Sequence, residues 1–245
     1  MHKHTIWSVM PDPCLRPFVR CFAQREMAVE TSSLVQTVLA ALEPILGFHF
    51  SGQPIMDYWS GTRAVVPPMH VLGTQTRSPG CLSFTGCVLG FGIFLKPFAS
   101  WELFRILPAE FADQEFQARE VFGPWITDLW LKLAECDTFC DRVRVATEAL
   151  LPFAEHASLP TRTMAAAQNL FQADFGIPIQ QLAHEACMSI RTYERKFIGE
   201  MGLSPKLFAR LRRFQTALDR KRTSGTRWLD VAHDLGYFDQ MHMVK

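Results

Sequence analysis

The sequence predicts an α+β protein in which a small β-rich, barrel-like domain with following helices precedes an all-α domain. Glycine, proline and short β-like runs are concentrated in the first hundred residues, whereas apolar residues recur with helical spacing after Val121. A hydrophobic fraction of 48% and a charged fraction of 20% over 245 residues are typical of a globular chain with one large or two smaller domains. This composition excludes a chain that is mainly disordered.

Four short apolar or alternating runs, punctuated by glycine and proline, predict antiparallel strands. They are residues 45–50, 71–76, 81–85 and 88–95. Residues 33–42 fit a helical stripe or a strand, and we favour the strand because Pro44 follows and β-branched residues are frequent. If the strands enclose an apolar pocket, its wall includes aromatic residues, and the alternative is that these residues form ordinary core. They are Phe48, Phe50, Phe84, Phe91, Phe94 and Trp101.

Amphipathic helices are predicted after the strands. A short helix covers residues 98–104, a second begins at Gly123 and Pro124, and a third covers residues 138–151. The segment from Ser158 to Pro160 has the composition of a linker. We therefore divide the chain into a β-rich domain with a helical tail, residues 1–157, and a helical domain, residues 158–245.

The formal net charge of +1 conceals an uneven distribution of charge. Residues 160–245 contain 13 Lys and Arg against 8 Asp and Glu, while residues 1–159 contain 12 against 16. Eleven of the basic residues and only three acidic ones lie within residues 191–227. The total charge does not indicate a nucleic-acid partner, but this basic segment agrees with one.

Two helices joined by a tight turn are predicted inside the basic domain. They cover residues 179–186 and 190–201, with the turn at residues 187–189. The small Ala183 lies where the two helix backbones must approach closely, and the Ser189 hydroxyl is suited to cap the second helix. This pattern is typical of a helix-turn-helix, whose second helix lies in the major groove of DNA. Its exposed residues would be Ile190, Arg191, Glu194 and Arg195.

A second unit of the same kind is predicted further along the chain. A long helix begins at Ser204 and Pro205 and runs to about Lys221. The apolar pattern then recurs between Trp228 and Leu235, and Gly236 supplies a turn residue that tolerates a positive φ. Residues 238–240 open another helix, and the sequence ends at Lys245.

These blocks closely resemble the AraC/XylS family of bacterial transcription regulators. The matching blocks are LAHEACMSIRTYERKF at 182–197, GLSP at 202–205, RFQTA at 213–217 and VAHDLGYFDQ at 231–240. Residues 1–155 also resemble the poorly characterised β-rich sensor domain that precedes this module in many bacterial regulators. That second resemblance is carried by residues 71–76, 91–97 and 103–104.

The resemblance implies a cytoplasmic, sequence-specific DNA-binding regulator with a sensing or dimerisation domain at its N-terminus. Its partner would be double-stranded DNA, with a small-molecule effector, RNA polymerase and a second copy of the chain as further candidates. Base or phosphate contacts carry over to Arg191, Glu194 and Arg195 in the first recognition helix, and to Gln240, Met241 and Lys245 in the second. Arg210 and Arg212 would add salt-sensitive affinity if they face phosphates, although a solvated helix face explains such charges equally well.

The sequence departs from the family in two places. Cys187 occupies a turn position where the family usually has glycine, so a left-handed backbone there would cost on the order of 1 kcal/mol. In the family, the second recognition helix continues beyond the position of Lys245, and a further turn and a closing helix follow. We therefore expect an incomplete second unit that exposes the apolar faces of Trp228, Val231 and Leu235, and weakened or absent operator binding.

No catalytic, metal or cofactor site is predicted. The sequence contains no GxSxG motif, P-loop or GxGxxG motif, and its histidines lack the spacing of a metal-ligand set. Seven scattered cysteines without a signal peptide indicate reduced cytosolic thiols, and the longest apolar run, residues 81–95, is too short to cross a membrane. The alternative function is a ligand-binding or protein-interaction module that has lost DNA reading through truncation.

Overall fold

A computed structural model describes residues 3–172, 177–225 and 227–235, and the chain forms two compact units, residues 1–159 and 160–245. The described strands of the first unit are β1 Lys3–Val9, β2 Val19–Thr37, β3 Ile45–Ser51, β4 Ile55–Tyr58, β5 Arg63–Val65, β6 Met69–Leu72, β7 Gly80–Leu95 and β8 Glu115–Gln117. Its α-helices are α1 Ala99–Phe104, α2 Pro108–Phe111, α3 Ala118–Phe122, α4 Trp125–Ala134 and α5 Phe139–Glu155. A short 3-10 helix covers Pro13–Leu15.

The strands form one antiparallel sheet in the order β1-β2-β7-β3-β6-β8, with β4 also paired to β7 and β5 paired to β4. Strand β7 is central, because one half of it pairs with β3 and the other half with β4. The prediction of two strands at residues 81–85 and 88–95 is therefore wrong, since the intervening Gly86 bends one strand rather than ending it. The strand predicted at residues 33–42 is confirmed to Thr37, while the one predicted at 71–76 lies earlier, at 69–72.

The sheet is strongly curled. The register of β2 against β7 shifts between Val29 and Leu34, opposite Gly86, which has a φ of 68°. Arg25 pairs with Gly90, yet its guanidinium lies 4.8 Å from the centre of the Phe84 ring. A straight strand would separate Gly90 from Phe84 by about 20 Å, so the two halves of the sheet must face each other. This curvature agrees with the barrel-like fold predicted for the domain.

One face of the sheet is covered by helices and forms the main core. The sheet contributes buried apolar residues at alternate positions, and α4 and α5 contribute theirs at helical spacing. The largest are Phe22, Phe48, Phe91, Ile93, Ile126, Leu129, Leu133 and Leu150. The predicted aromatic wall is divided between two clusters, because Phe48 and Phe91 face the helices while Phe84 packs with Val29 and Val88. For these three residues the alternative prediction of ordinary core is correct.

The guanidinium of Arg142 joins the sheet to the two covering helices, and only 4% of this residue is exposed. Its Nε donates to the Leu133 carbonyl at 3.1 Å, Nη1 donates to Gln24 Oε1 at 3.1 Å, and Nη2 donates to the Cys136 carbonyl. The same group lies 5.1 Å from the centre of the Phe50 ring. Arg142 therefore adds side-chain donors to backbone carbonyls at the end of α4, where a helix runs short of amide partners.

The second unit is helical in its described residues. Its helices are α6 Arg162–Gln172, α7 Ile179–Glu185, α8 Ile190–Met201, α9 Pro205–Ser224 and α10 Trp228–Asp234. Val231 and Leu235 are each 2% exposed and pack against Ala217 of α9, with Trp228 half-buried beside them. The prediction that this apolar face would be exposed is therefore wrong, because α9 covers it.

Neither a membrane span nor a metal centre is found within the described ranges. No helix there combines the length and the apolar content that crossing a bilayer requires. No group of three or more potential metal-ligating side chains is found in the same residues.

Two histidines stack on the face of the sheet that the helices do not cover. The rings of His49 and His70 are 5.2 Å apart at an interplanar angle of 10°, and each Nδ1 is buried without a hydrogen-bond partner among the described residues. A side chain on Gly47 would collide with the His70 ring, so this glycine allows the ring to lie flat on the sheet. Burial, the neighbouring His70 and Arg25 lower the pKa of His49 to about 3, and burial also lowers the pKa of His70.

We predict that the first unit loses stability as the pH falls from 7 to 5. The unfolded chain binds a proton at His49 near pH 6.5 whereas the folded chain resists it down to about pH 3, so acid favours unfolding. One such histidine lowers the free energy of unfolding by at most about 1.4 kcal/mol for each pH unit. Urea unfolding followed by circular dichroism should show a weaker pH dependence for His49→Gln than for wild type. The control is His4→Gln, at an exposed site. The prediction is contradicted if His49→Gln and wild type show the same pH dependence, or if His4→Gln reduces the pH dependence as much as His49→Gln does.

Candidate nucleic-acid interface

Helices α7 and α8 pack through small and aromatic residues on their facing sides. Leu182 and Ala183 of α7, and Ala186 at its C-terminal cap, are each 1% exposed. Tyr193 and Phe197 of α8 are fully buried, with ring centroids 5.7 Å apart. This burial fixes the rotation of α8 about its axis, because residues four apart lie on one side of a helix.

The turn between these helices closes through a left-handed residue. The Cys187 amide donates to the His184 carbonyl at 2.9 Å, and the Met188 amide donates to the Ala183 carbonyl at 2.9 Å. These two bonds define a Schellman motif, which places the residue after the helix cap in the left-handed region. Cys187 has a φ of 57°, which confirms the left-handed backbone expected at this position.

The ends of α8 are capped as its sequence predicts. The Thr192 amide donates to Ser189 Oγ at 3.2 Å, which confirms the cap predicted at Ser189. Gly202 ends the helix with a φ of 75°, a conformation that costs glycine little. The length and the start of α8 are therefore set by local interactions.

Helices α6 and α9 support α8 from behind. Met164, Ala167 and Leu170 of α6 are buried, and the Phe208 ring of α9 meets the Phe197 ring edge-on at 5.6 Å. A hydrogen bond from Thr161 Oγ1 to Glu200 ties the start of α6 to the last turn of α8. The outward face of α8 is thus presented on a packed three-helix base.

The outward face of α8 carries the residues predicted to contact DNA. Arg191, Glu194 and Arg195 are all exposed there. Neither arginine forms an ion pair with any residue that the structure describes. Both guanidinium groups are therefore available for hydrogen bonds to a phosphate or to a base edge.

The remaining predicted contacts fall into three groups. Arg210 is exposed on α9. Arg212 is half-buried, and its Nε donates to the Phe171 carbonyl at 2.8 Å while its guanidinium lies 4.5 Å from the Phe171 ring centre. Arg212 therefore joins α9 to the end of α6. Gln240, Met241 and Lys245 lie outside the described residues.

Two exposed residues on the outward side of α8 were not among the predicted contacts. Lys196 is exposed beside Arg195, and Ile198 is 49% exposed one turn beyond Glu194. Ile190, at the first position of the helix, is 41% exposed. Helical spacing from the buried Tyr193 and Phe197 is the signal that could have placed Ile198 on the outward side.

Each of the two parts of the chain matches a known protein family. Residues 182–245 match the family described as a helix-turn-helix domain, and residues 8–117 match the one described as a domain of unknown function (DUF6597). No curated protein sequence matches the chain.

Solved structures of ToxT from Vibrio cholerae resemble the fold. An apo ToxT variant from strain SCE256 has a TM-score of 0.53 at 7% identity, over 96% of this chain and 93% of that chain. Wild-type ToxT bound to an unsaturated fatty acid, from the same strain, has a TM-score of 0.45 at 5% identity, over 99% of this chain and 88% of that chain. The likeness to the apo variant shows a shared fold.

We predict that Cys187→Gly stabilises the second unit. Glycine removes the cost of a left-handed backbone at this exposed residue. Its greater entropy in the unfolded chain offsets part of that saving, so the free energy of unfolding should rise by about 0.5–1 kcal/mol. Chemical denaturation followed by the helical circular-dichroism signal measures the change. Cys140→Gly, at an exposed cysteine inside helix α5, should instead destabilise. Loss of stability in Cys187→Gly would show that the left-handed turn is not strained.

Proposed function

We propose that this chain, which joins an AraC-type helix-turn-helix domain to a DUF6597 domain, is a sequence-specific DNA-binding transcription regulator. The observation that carries the proposal is the outward face of α8, where Arg191 and Arg195 stand exposed opposite the buried Tyr193 and Phe197. A helix with its side chains is roughly 10–12 Å wide, and the major groove is about 12 Å wide. Helix α8 therefore fits the groove with its arginines directed at the DNA.

The residues on this face have complementary chemistry for DNA. Arginine binds guanine O6 and N7 through two donors or holds a phosphate, so Arg191 and Arg195 supply the main contacts. Glu194 between them can accept a hydrogen bond from the cytosine N4 amino group. The exposed Arg210 adds a phosphate contact that carries no sequence information. We exclude Arg212 from the contact set because its guanidinium is used within the unit.

The basic charge of the second unit supports the same function. The excess of Lys and Arg over residues 191–227 covers α8 from its second residue and continues through α9. Neutralised phosphates release counterions, so affinity for DNA falls as salt rises. Salt dependence therefore separates DNA reading from an interaction with an uncharged partner.

The proposal includes further elements that follow from the family resemblance. A second recognition helix would carry Gln240, Met241 and Lys245 into an adjacent major-groove segment. A small-molecule effector, RNA polymerase and a second copy of the chain are its proposed partners, and the bacterial cytoplasm is its proposed location. The proposal assigns the chain no catalytic, cofactor or metal site.

We predict that the full chain binds duplex DNA and that Arg195→Ala weakens this binding about tenfold. The measurement is fluorescence anisotropy of labelled duplexes from a random-sequence pool and from upstream regions, at two salt concentrations. Raising the salt fourfold should lower the affinity by roughly tenfold or more. Arg195→Ala should also flatten that salt dependence if the lost contact is to phosphate.

The matched control is Arg119→Ala, which removes the same charge from an exposed position on α3 of the first unit. This variant should bind DNA as the wild type does. Equal weakening in both variants would mean that net charge, not α8, accounts for the binding. No binding at low salt would overturn the proposal and favour the ligand-binding or protein-interaction module.

A further inference from the structure

Four exposed residues form one stripe along α8. They follow one another at the spacing that places side chains on the same side of an α-helix, the first and last being seven residues apart. They are Arg191, Glu194, Arg195 and Ile198. The first three are the charged residues proposed to contact DNA, so the fourth lies on the same surface.

Ile198 is the apolar member of this stripe, and 49% of it is exposed. Glu194 lies one turn before it and Arg195 three residues before it, so its neighbours on the stripe are charged. Ile190 differs, because it precedes the two buried aromatic residues of α8 by three and seven residues and therefore follows the buried side. Its exposure of 41% reflects its place at the first position of the helix. Ile198 is thus the isoleucine of α8 that belongs to the DNA-contact stripe.

The residue after Ile198 leaves room for DNA to approach. Gly199 lies within α8, where glycine is less favourable than alanine. A Cβ atom added there would meet no other part of the described chain within 4 Å, setting aside its chain neighbours and the backbone of α8 itself. Packing within the unit therefore does not require a glycine at this position. A glycine does serve where a backbone must come close to a ligand, and here it leaves one side of Ile198 unobstructed.

An isoleucine on a surface that faces DNA has one kind of apolar partner in the major groove. Its side chain neither donates nor accepts hydrogen bonds, so it cannot bind a phosphate or a polar base edge. Among the four bases, thymine alone presents an apolar group in that groove, its C5-methyl. Contact between this methyl and Ile198 removes apolar surface of both groups from water, which favours binding.

The spacing along α8 also predicts where this thymine lies relative to the arginine contact. An α-helix rises about 1.5 Å per residue, so Arg195 and Ile198 are about 4.5 Å apart along the helix axis. Successive base pairs are about 3.4 Å apart along the duplex, so the thymine should lie about one or two base pairs from the pair that Arg195 contacts.

We infer that Ile198 is a specificity-determining residue, which selects DNA sites with a thymine close to the base pair that Arg195 contacts. The thymine methyl packs on the Ile198 side chain, and Gly199 allows the base edge to come within contact distance. This role rests on the proposed function, because it requires α8 to lie in the major groove.

Selection of duplexes from a random-sequence pool by the full chain, followed by fluorescence anisotropy, tests the role of Ile198. The selected duplexes should share a thymine. Each shared thymine is then replaced in turn by deoxyuridine, which removes the methyl group and keeps every hydrogen-bonding group of the base edge. At one of these positions the wild-type chain should bind the deoxyuridine duplex about fourfold more weakly, the value expected for one buried methyl group.

Two variants assign the thymine preference to a residue. Ile198→Ala should bind the thymine and deoxyuridine duplexes with less than about a twofold difference, because the partner of the methyl group has been removed. The matched control is Leu131→Ala, since Leu131 on α4 of the first unit is also a 49% exposed apolar residue on a helix. This control should keep the wild-type preference for thymine. Circular dichroism of each variant establishes that it is folded.

The results separate failure of this role from failure of the proposed function. The role of Ile198 is overturned if the selected duplexes share no thymine, if wild type binds every deoxyuridine duplex as tightly as the original, or if folded Ile198→Ala keeps the full preference. In each of these cases the chain still binds DNA, so the proposed function stands. Absence of DNA binding at low salt would overturn both.

Discussion

The burial of Tyr193 and Phe197 is the constraint on which the candidate interface depends. Both rings are fully buried and packed against neighbouring helices, so α8 cannot rotate without exposing aromatic surface. Burying a large side chain contributes about 1.5–3 kcal/mol. Because the helical period then places Arg191 and Arg195 outward, the core of this unit determines which side chains reach a partner.

The turn before α8 also helps to position this helix, through its local backbone conformation. The two Schellman bonds and the cap at Ser189 set the first residue of α8 and its direction through contacts between neighbouring residues. Cys187 retains a left-handed backbone there although it carries a Cβ atom. Two hydrogen bonds and the buried side of both helices outweigh that cost of about 1 kcal/mol.

The helical unit could be predicted in more detail than the sheet, and the reason is physical. Its caps and its 3.6-residue period are local signals, so the bounds of α8 and the cap at Ser189 followed from neighbouring residues. Strands β2 and β7 contain glycine or charged residues within their length, for example where the sheet bends. In the sequence such residues are typical of turns, so they suggest that a strand ends there. The contacts of Arg142, and the cover that α9 provides for Val231, join distant parts of the sequence that no local pattern connects.

The most direct test of the account is isoleucine δ1-methyl NMR of the full chain titrated with a mixed-sequence duplex of about 20 base pairs, two turns of DNA. Ile190 is exposed at the start of α8 and Ile198 on its outward side, and Ile93 and Ile126 are fully buried in the first unit. The account predicts that the Ile190 and Ile198 signals shift with DNA, more strongly at low salt, while the other two do not move. Unchanged Ile190 and Ile198 signals in a chain that binds the duplex would contradict it.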